Sequence, residues 1–148
     1  MQQGRATPLP LLPSVQAGVP TLIVCKPASV AALLERVRTE FPRSLPIDLR
    51  ECETAADVQK ARDQISEALE TGTLVFLLGA SPYAAALAVL REVLFGELRL
   101  ARGDKRLVPA STGILAIAIG GRADESLGPL FSIELRAEQL LARSSPSP

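Results

Sequence analysis

Several groups of residues carry side chains or backbone that could do chemistry. Lys26 and Ser29 follow a short apolar run, Thr21 to Cys25. At the mouth of an α/β sheet, an amine and a hydroxyl so placed could meet a phosphate. Cys25 ends the same run and could act as a nucleophile if a base stood beside it. Asp48, Glu51 and Glu53 cluster after a second apolar run. Carboxylates that close could share a hard cation, although such ions want more oxygen ligands from a fixed loop. Arg102, Lys105 and Arg106 form the one basic cluster, suited to an acidic partner. Gly79 and Gly120-Gly121 follow two further apolar runs and would leave an open crevice. Each group also has a plain structural reading: a solvated lysine, a core thiol, a solvated acidic turn, a hairpin tip, and tight turns.

Composition narrows these choices. The chain contains no histidine, which removes the commonest general base and the commonest metal ligand. With no convergent acid–base pair either, an α/β enzyme of unrelated type is the weakest reading. The two cysteines, Cys25 and Cys52, lie far apart and form no C-x-x-C pair, so free buried thiols are expected. Sixteen basic residues balance sixteen acidic ones, so there is no electrostatic footprint for nucleic acid or an anionic membrane. Apolar residues make up 47% of the 148, enough for one core, and with only four Phe, one Tyr and no Trp it must be built from Leu, Val, Ile and Ala.

The elements that would position these groups follow from periodicity and punctuation. Thr21–Cys25 reads as a strand buried on both faces, broken by Pro27. Ser29 then caps a helix whose apolar positions Val30, Leu33, Leu34, Val37 and Phe41 recur at helical spacing, ended by Pro42. Leu45–Leu49 reads as a second strand. Thr54 and Asp57 form a capping box for a helix with Val58, Ala61, Ile65, Ala68 and Leu69 on one face, and Gly72 is placed to end it. Thr73–Leu78 is the strongest strand signal, and Ser81-Pro82 opens a helix to about Phe95, closed by Gly96. Leu98–Leu100 and Arg106–Val108 suggest a small hairpin, Ile114–Ile119 a buried strand, and about Ser132 to Arg143 a last helix. Thr73–Leu90 is too interrupted by Gly79, Ser81 and Pro82 to span a membrane.

Strands and helices alternate, which predicts an α/β domain with a mainly parallel sheet flanked by helices and a small hairpin insertion. One domain is expected over residues 20–143. Residues 1–19 read as an extended Pro-rich arm, weakly like a mitochondrial or other organellar transit segment, and 144–148 as a disordered tail.

From Thr21 to about Leu140 this succession resembles the large subdomain of AAA+ ATPases, nearest the MoxR and the midasin or dynein branches. The likeness rests on strand, loop and helix at Thr21–Phe41; on Ala68-Leu-Glu-Thr-Gly72 before Thr73–Leu78; on Ser81-Pro82 through Val89–Leu94, a hairpin and Leu107-Val-Pro109; and on Ile114–Ile119 before Gly120-Gly121, with Leu127–Phe131 beyond. It implies a P-loop NTPase-like three-layer sandwich. The residues that carry that family's chemistry are missing. The phosphate-binding loop would be Cys25-Lys-Pro-Ala-Ser-Val-Ala-Ala32, which has no glycine and a proline that lacks a donor. Gly79-Ala80 replaces the acids that position metal and water, Gly120-Gly121 offers no sensor side chain, and Leu130 replaces the arginine before Phe131.

The resemblance therefore implies a non-enzymatic AAA+-like domain with no catalytic residue, metal or cofactor, serving as a structural or accessory subunit of a larger assembly. Its expected partners are other protein subunits, with no nucleic acid and no membrane span. It is expected inside the cell, soluble in the cytoplasm or an organellar matrix such as that of mitochondria. The alternative is a nucleotide- or anion-binding module without hydrolysis, its ligand held at a degenerate crevice by Lys26, Ser29 and Gly79.

Overall fold

The structure, a computed structural model, describes residues 12–69, 72–100, 105–109, 112–120 and 125–144. The chain opens with a single helical turn, α1 (Pro13–Gln16), followed by β1 (Thr21–Cys25), a 3-10 turn at Pro27–Ser29, α2 (Val30–Glu40) and β2 (Ser44–Asp48). Next come α3 (Ala55–Ala68), β3 (Thr73–Leu78) and α4 (Ala84–Leu94), then β4 (Glu97–Arg99) and β5 (Lys105–Leu107). The chain continues through β6 (Gly113–Ile119), a 3-10 turn at Gly128–Leu130, β7 (Ile133–Arg136) and α5 (Ala137–Ser144).

Five strands form one sheet in the order β2-β3-β6-β1-β7, and β4 and β5 form a separate antiparallel pair. Every neighbour in the larger sheet is parallel. The three inner strands are apolar on both faces, so both faces must be covered. Leu22, Leu74, Phe76, Leu78, Ile114, Ala116 and Ala118 pack with the buried stripes of α3 and α4. Ile23, Cys25, Val75, Leu77, Leu115 and Ile117 pack with α1, α2 and α5. The fold is thus α/β with three layers.

Chain direction and helix layer change together. The first crossover carries the chain from β1 past β6 and β3 to the far edge, with α2 in one layer. The next two step back inward, with α3 and α4 in the other layer. Reversing direction while switching face keeps one hand of crossover throughout.

Small residues set the spacing on the α3–α4 side. Ala116 stands beside both Phe76 and Leu22, and Ala118 beside both Leu78 and Val24. The alanines leave room for Phe76, the largest fully buried side chain among the described residues, in the layer of α3 and α4. Arg62 of α3 grips Glu92 of α4 with both guanidinium edges, Nε to Oε1 at 3.1 Å, and the Arg99 backbone N–H donates to the same Oε1 at 2.9 Å. This half-buried pair joins α3, α4 and the hairpin.

Several boundaries differ from the sequence expectation. Residues 133–136 are not the first turn of the last helix but an edge strand pairing with β1, Thr21 opposite Ile133 and Val24 opposite Arg136. Helix α4 starts at Ala84 behind Tyr83, not at Ser81-Pro82, and Tyr83 makes no side-chain cap bond. The hairpin strands each lie one residue earlier than expected, and β2 does likewise, although the Leu49 N–H still donates to Leu77 O at 2.8 Å. The capping box is present in full: Thr54 Oγ1 accepts from the Asp57 N–H, and the Asp57 carboxylate accepts from the Thr54 N–H at 3.0 Å.

The described part of the N-terminal arm is not extended. Pro13–Gln16 is helical, and Leu12 and Val15 are buried with α2 and α5. The Leu12 N–H donates to Glu40 Oε2 at 2.7 Å, and the Ser14 and Thr21 hydroxyls bond each other at 2.7 Å. Gly113 makes this possible, since a Cβ there would meet Val15 at 3.2 Å and Thr73 at 3.1 Å. Residues 1–11 and 145–148, the rest of the expected arm and tail, lie outside the described residues.

Two substitutions test these assignments. Leu12→Ala should destabilise the fold by about 2–3 kcal/mol in denaturant titration, as a core truncation does, whereas an undocked arm would show no change. Thr54→Ala should cost about 1 kcal/mol by the same measurement, through loss of the α3 cap.

Candidate functional site

Ligands of open α/β sheets bind where neighbouring strands send their connections to opposite faces. Here that happens between β1 and β6. β1 leads into α2, whereas the segment after β6 buries Leu127 in the α3–α4 layer. The register brings the expected crevice residues to this edge. Leu78, Ala118 and Val24 share one row across β3, β6 and β1, so Gly79 lies level with Ile119 and Cys25, and Lys26 follows one step beyond. Lys26 and Gly79 thus flank the end of β6, and Ser29 follows at the start of α2. Gly120 is there too, its N–H donating to Cys25 O at 2.8 Å; Gly121 lies outside the described residues.

The loop between β1 and α2 is closed on itself. Pro27 has no N–H to offer. The Ser29 N–H donates to Lys26 O at 2.9 Å, and the Val30 N–H donates to Pro27 O. A phosphate cradle needs such groups free and convergent; here two of them are spent inside a 3-10 turn. Ser29 does not act as the expected side-chain cap. Its backbone is already helical, φ −99° and ψ −4°, and its hydroxyl makes no cap bond. A capping hydroxyl needs the extended backbone that Thr54 has. Lys26 is exposed and Ser29 and Gly79 are half-exposed, so among the described residues the edge holds one amine, one hydroxyl and a bare backbone position.

Cys25 is enclosed beneath this loop. Its thiol donates to Lys26 O at 3.3 Å. Burial, with a smaller push from the Glu138 carboxylate, raises its pKa to about 11. Burial, again with a carboxylate nearby in Asp57, also raises Cys52. Neither thiol is a nucleophile at neutral pH.

The acidic turn after β2 is engaged in local structure. Arg50 holds Asp48 through Nη2 at 2.6 Å, Nε at 2.9 Å and the backbone N–H at 2.9 Å. The Arg50 side chain is the first cause keeping the Asp48 pKa below the ordinary carboxylate value. Asp57 is lowered too, chiefly by the backbone N–H groups of Glu53 and Thr54. Among the described residues no three His, Cys, Asp or Glu side chains are grouped to hold a metal ion. The two described members of the expected basic cluster are both engaged. Arg106 reaches into α3, its Nη1 donating to Ser66 O at 2.6 Å and Ser66 Oγ at 2.8 Å, and Lys105 pairs with Glu97 at 3.1 Å. Arg102 lies outside the described residues.

No family model matches this sequence, and no curated protein matches it. The chemistry therefore rests on the arrangement alone. Among the described residues it provides one exposed cation at a strand end and no base, activated nucleophile or cation cage beside it.

Sequence reasoning did not find the approach of Glu138 to Cys25, which joins residues from opposite ends of the described chain and leaves no local trace. The Arg62–Glu92 pair was equally invisible, each residue reading as part of a charged helix face. Among the described residues no helix is long and apolar enough to cross a membrane.

The thiol gives a pH test. A thiol raised in the folded state leaves stability intact below its ordinary value of 9.0 and erodes it as pH climbs toward about 11. Stability should therefore fall over that interval, and Cys25→Ala should flatten the fall relative to the native chain in paired denaturant titrations. An unchanged slope would mean that Cys25 ionises freely.

Proposed function

We propose that the chain is a non-catalytic, AAA+-like domain of P-loop type that serves as a structural or accessory subunit of a larger protein assembly. The observation that carries this reading is the closed loop after β1. The switch point of the sheet opens beside β1, where the resemblance places a phosphate-binding loop, yet the Ser29 and Val30 N–H groups are bonded within their own turn. The acids such chemistry requires are absent after β3, where Gly79-Ala80 follows Leu78. A fold that keeps the frame while the site is internally satisfied offers its surface and shape to partners.

A second reading is a module that holds a nucleotide or another small anion at this edge without hydrolysis. It is favoured by the exposed Lys26 and the uncommitted Ser29 hydroxyl at the start of an 11-residue helix. Gly79 across the edge would let a ligand approach the backbone closely.

Native purification of the tagged chain tests the first reading, with mass spectrometry of co-eluting proteins at fixed stoichiometry as the expected result. No ATP turnover should accompany it. Turnover that Lys26→Ala abolishes would overturn the proposal. Saturable thermal stabilisation by ATP or ADP, lost in Lys26→Ala without turnover, would establish the second reading.

A further inference from the structure

The two edges of the five-stranded sheet are finished differently. In a parallel sheet successive residues turn their backbone N–H and C=O groups to alternate sides, and a residue facing a neighbour bonds the two residues that flank its register partner. The Leu49 N–H donates to Leu77 O at 2.8 Å, and Asp48 lies opposite Leu77. Leu77 thus faces β2, and Leu45, Ile47 and Leu49 face back toward β3. Ser44, Pro46 and Asp48 turn outward. Pro46 has no N–H, and the Ser44 N–H donates to Phe41 O at 2.9 Å. Asp48 is left as the outward donor of β2, a blunted edge of the kind that resists strand addition.

The β7 edge is built the other way. The Gly120 N–H donates to Cys25 O, so Cys25 faces β6. Leu22 and Val24 then face β7, where their register partners are Glu134 and Arg136. The flanking residues Ile133 and Leu135 answer them, which turns the N–H and C=O groups of Glu134 and Arg136 outward. Among the described residues no strand pairs with this side. The Glu134 and Arg136 side chains are exposed on one face of the edge, and no ion pair among the described residues engages them. Ile133 and Leu135 alternate onto the other face, where Leu135 packs in the layer of α2 and α5; both are only half-buried.

This edge is complementary to a second copy of itself. An added antiparallel strand must set outward groups against outward groups. Within β7, three registers between two copies do so. One sets Glu134 against Glu134, one sets Arg136 against Arg136, and one sets each Glu134 against Arg136 of the other copy. The first two place like charges directly opposite. The third makes opposite-charge pairs on both sides of the two-fold axis, together with reciprocal backbone hydrogen bonds. In that register Leu135 meets Leu135 at a non-hydrogen-bonded position, where side chains come closest, and each covers the open flank of the other. Charges keep sheet edges apart when neighbours carry the same sign. Here the alternation of acid and base reverses that effect for one partner, an antiparallel copy.

We propose that the chain forms a symmetric dimer by antiparallel pairing of β7 with β7 of a second copy, Glu134 opposite Arg136, joining two five-stranded sheets into one. The contact is isologous, so it closes at the dimer. It stands on the sheet edge alone and goes beyond the subunit reading without resting on it.

Sedimentation velocity of the purified full chain over a wide concentration range tests it. A monomer–dimer equilibrium with no larger species is expected. Glu134→Arg and Arg136→Glu should each weaken the dimer at least about tenfold, because each sets like charges opposite. Mixed one to one, the two variants should dimerise with each other, since every charge on one copy then meets its opposite on the other. The chain carrying both changes should dimerise with itself, acid and base having exchanged places. Both side chains are exposed, and unchanged circular-dichroism melts verify folding. Hydrogen exchange gives a second readout. The Leu135 amide, which faces β1, should be protected at every concentration, whereas the Glu134 and Arg136 amides should gain protection only as the dimer fills. The proposal is overturned by a native chain that stays monomeric, whether or not other proteins co-purify with it. It is equally overturned by single variants that dimerise like the native chain, by a mixture or double variant that does not dimerise, or by Glu134 and Arg136 amides indifferent to concentration.

Discussion

The structure depends on one strand that has no polar side chain to offer. Gly113-Ile-Leu-Ala-Ile-Ala-Ile119 occupies the centre of the sheet, and its backbone groups find partners in β3 on one side and β1 on the other. As far as Ala118 its side chains meet water on neither face. Both faces must therefore be covered by helices, and the crossovers must change layer to cover them. The alternation of isoleucine with alanine on this strand decides how each layer sits. Leu115 and Ile117 face α2 and α5, while Ala116 and Ala118 leave room for Phe76 on the α3–α4 side. Layer order, crossover direction and the place of the switch point all follow from accommodating β6.

That arrangement also fixes the character of the candidate site. A switch point beside β1 is a consequence of topology, not of any ligand. What a ligand would need is decided locally, and here Pro27 and the 3-10 turn draw the loop onto itself. Topology and chemistry thus part company at a few residues. A sheet can keep its crevice while the donors around it are satisfied internally, because nothing in the packing of β6 depends on those donors.

Much of the fold was legible in the sequence, for stated reasons. β1, β3 and β6 are continuous apolar runs bounded by Pro or Gly, and the Thr54–Asp57 capping box announces α3. The strand at Ile133–Arg136 was not recognised. Its glutamate, leucine and arginine are good helix formers, it abuts a true helix, and pairing with β1 decides the conformation against that propensity. The turn at Pro13–Gln16 was missed because prolines and small residues suggest an extended arm; what orders it is burial of Leu12 and Val15 against elements far along the chain. Of the site residues, Lys26 and Gly79 lie at the same edge of the sheet, with Ser29 following at the start of α2. The engagement of Arg106 was not legible, because a partner forty positions earlier, Ser66, was not visible locally.

The place of β1 in the sheet has a consequence for synthesis on the ribosome. Among the described strands β1 is made first, yet both of its neighbours, β6 and β7, are made last. Until they emerge, Thr21–Cys25 is a largely apolar segment without its native neighbours. β2 and β3, which pair with each other, can meet earlier, but the layer containing α1 and α2 has to wait until β6 and α5 are made. The nascent chain therefore carries an unpaired, aggregation-prone strand until β6 is made, and pairing of β1 is governed by long-range closure more than by local order.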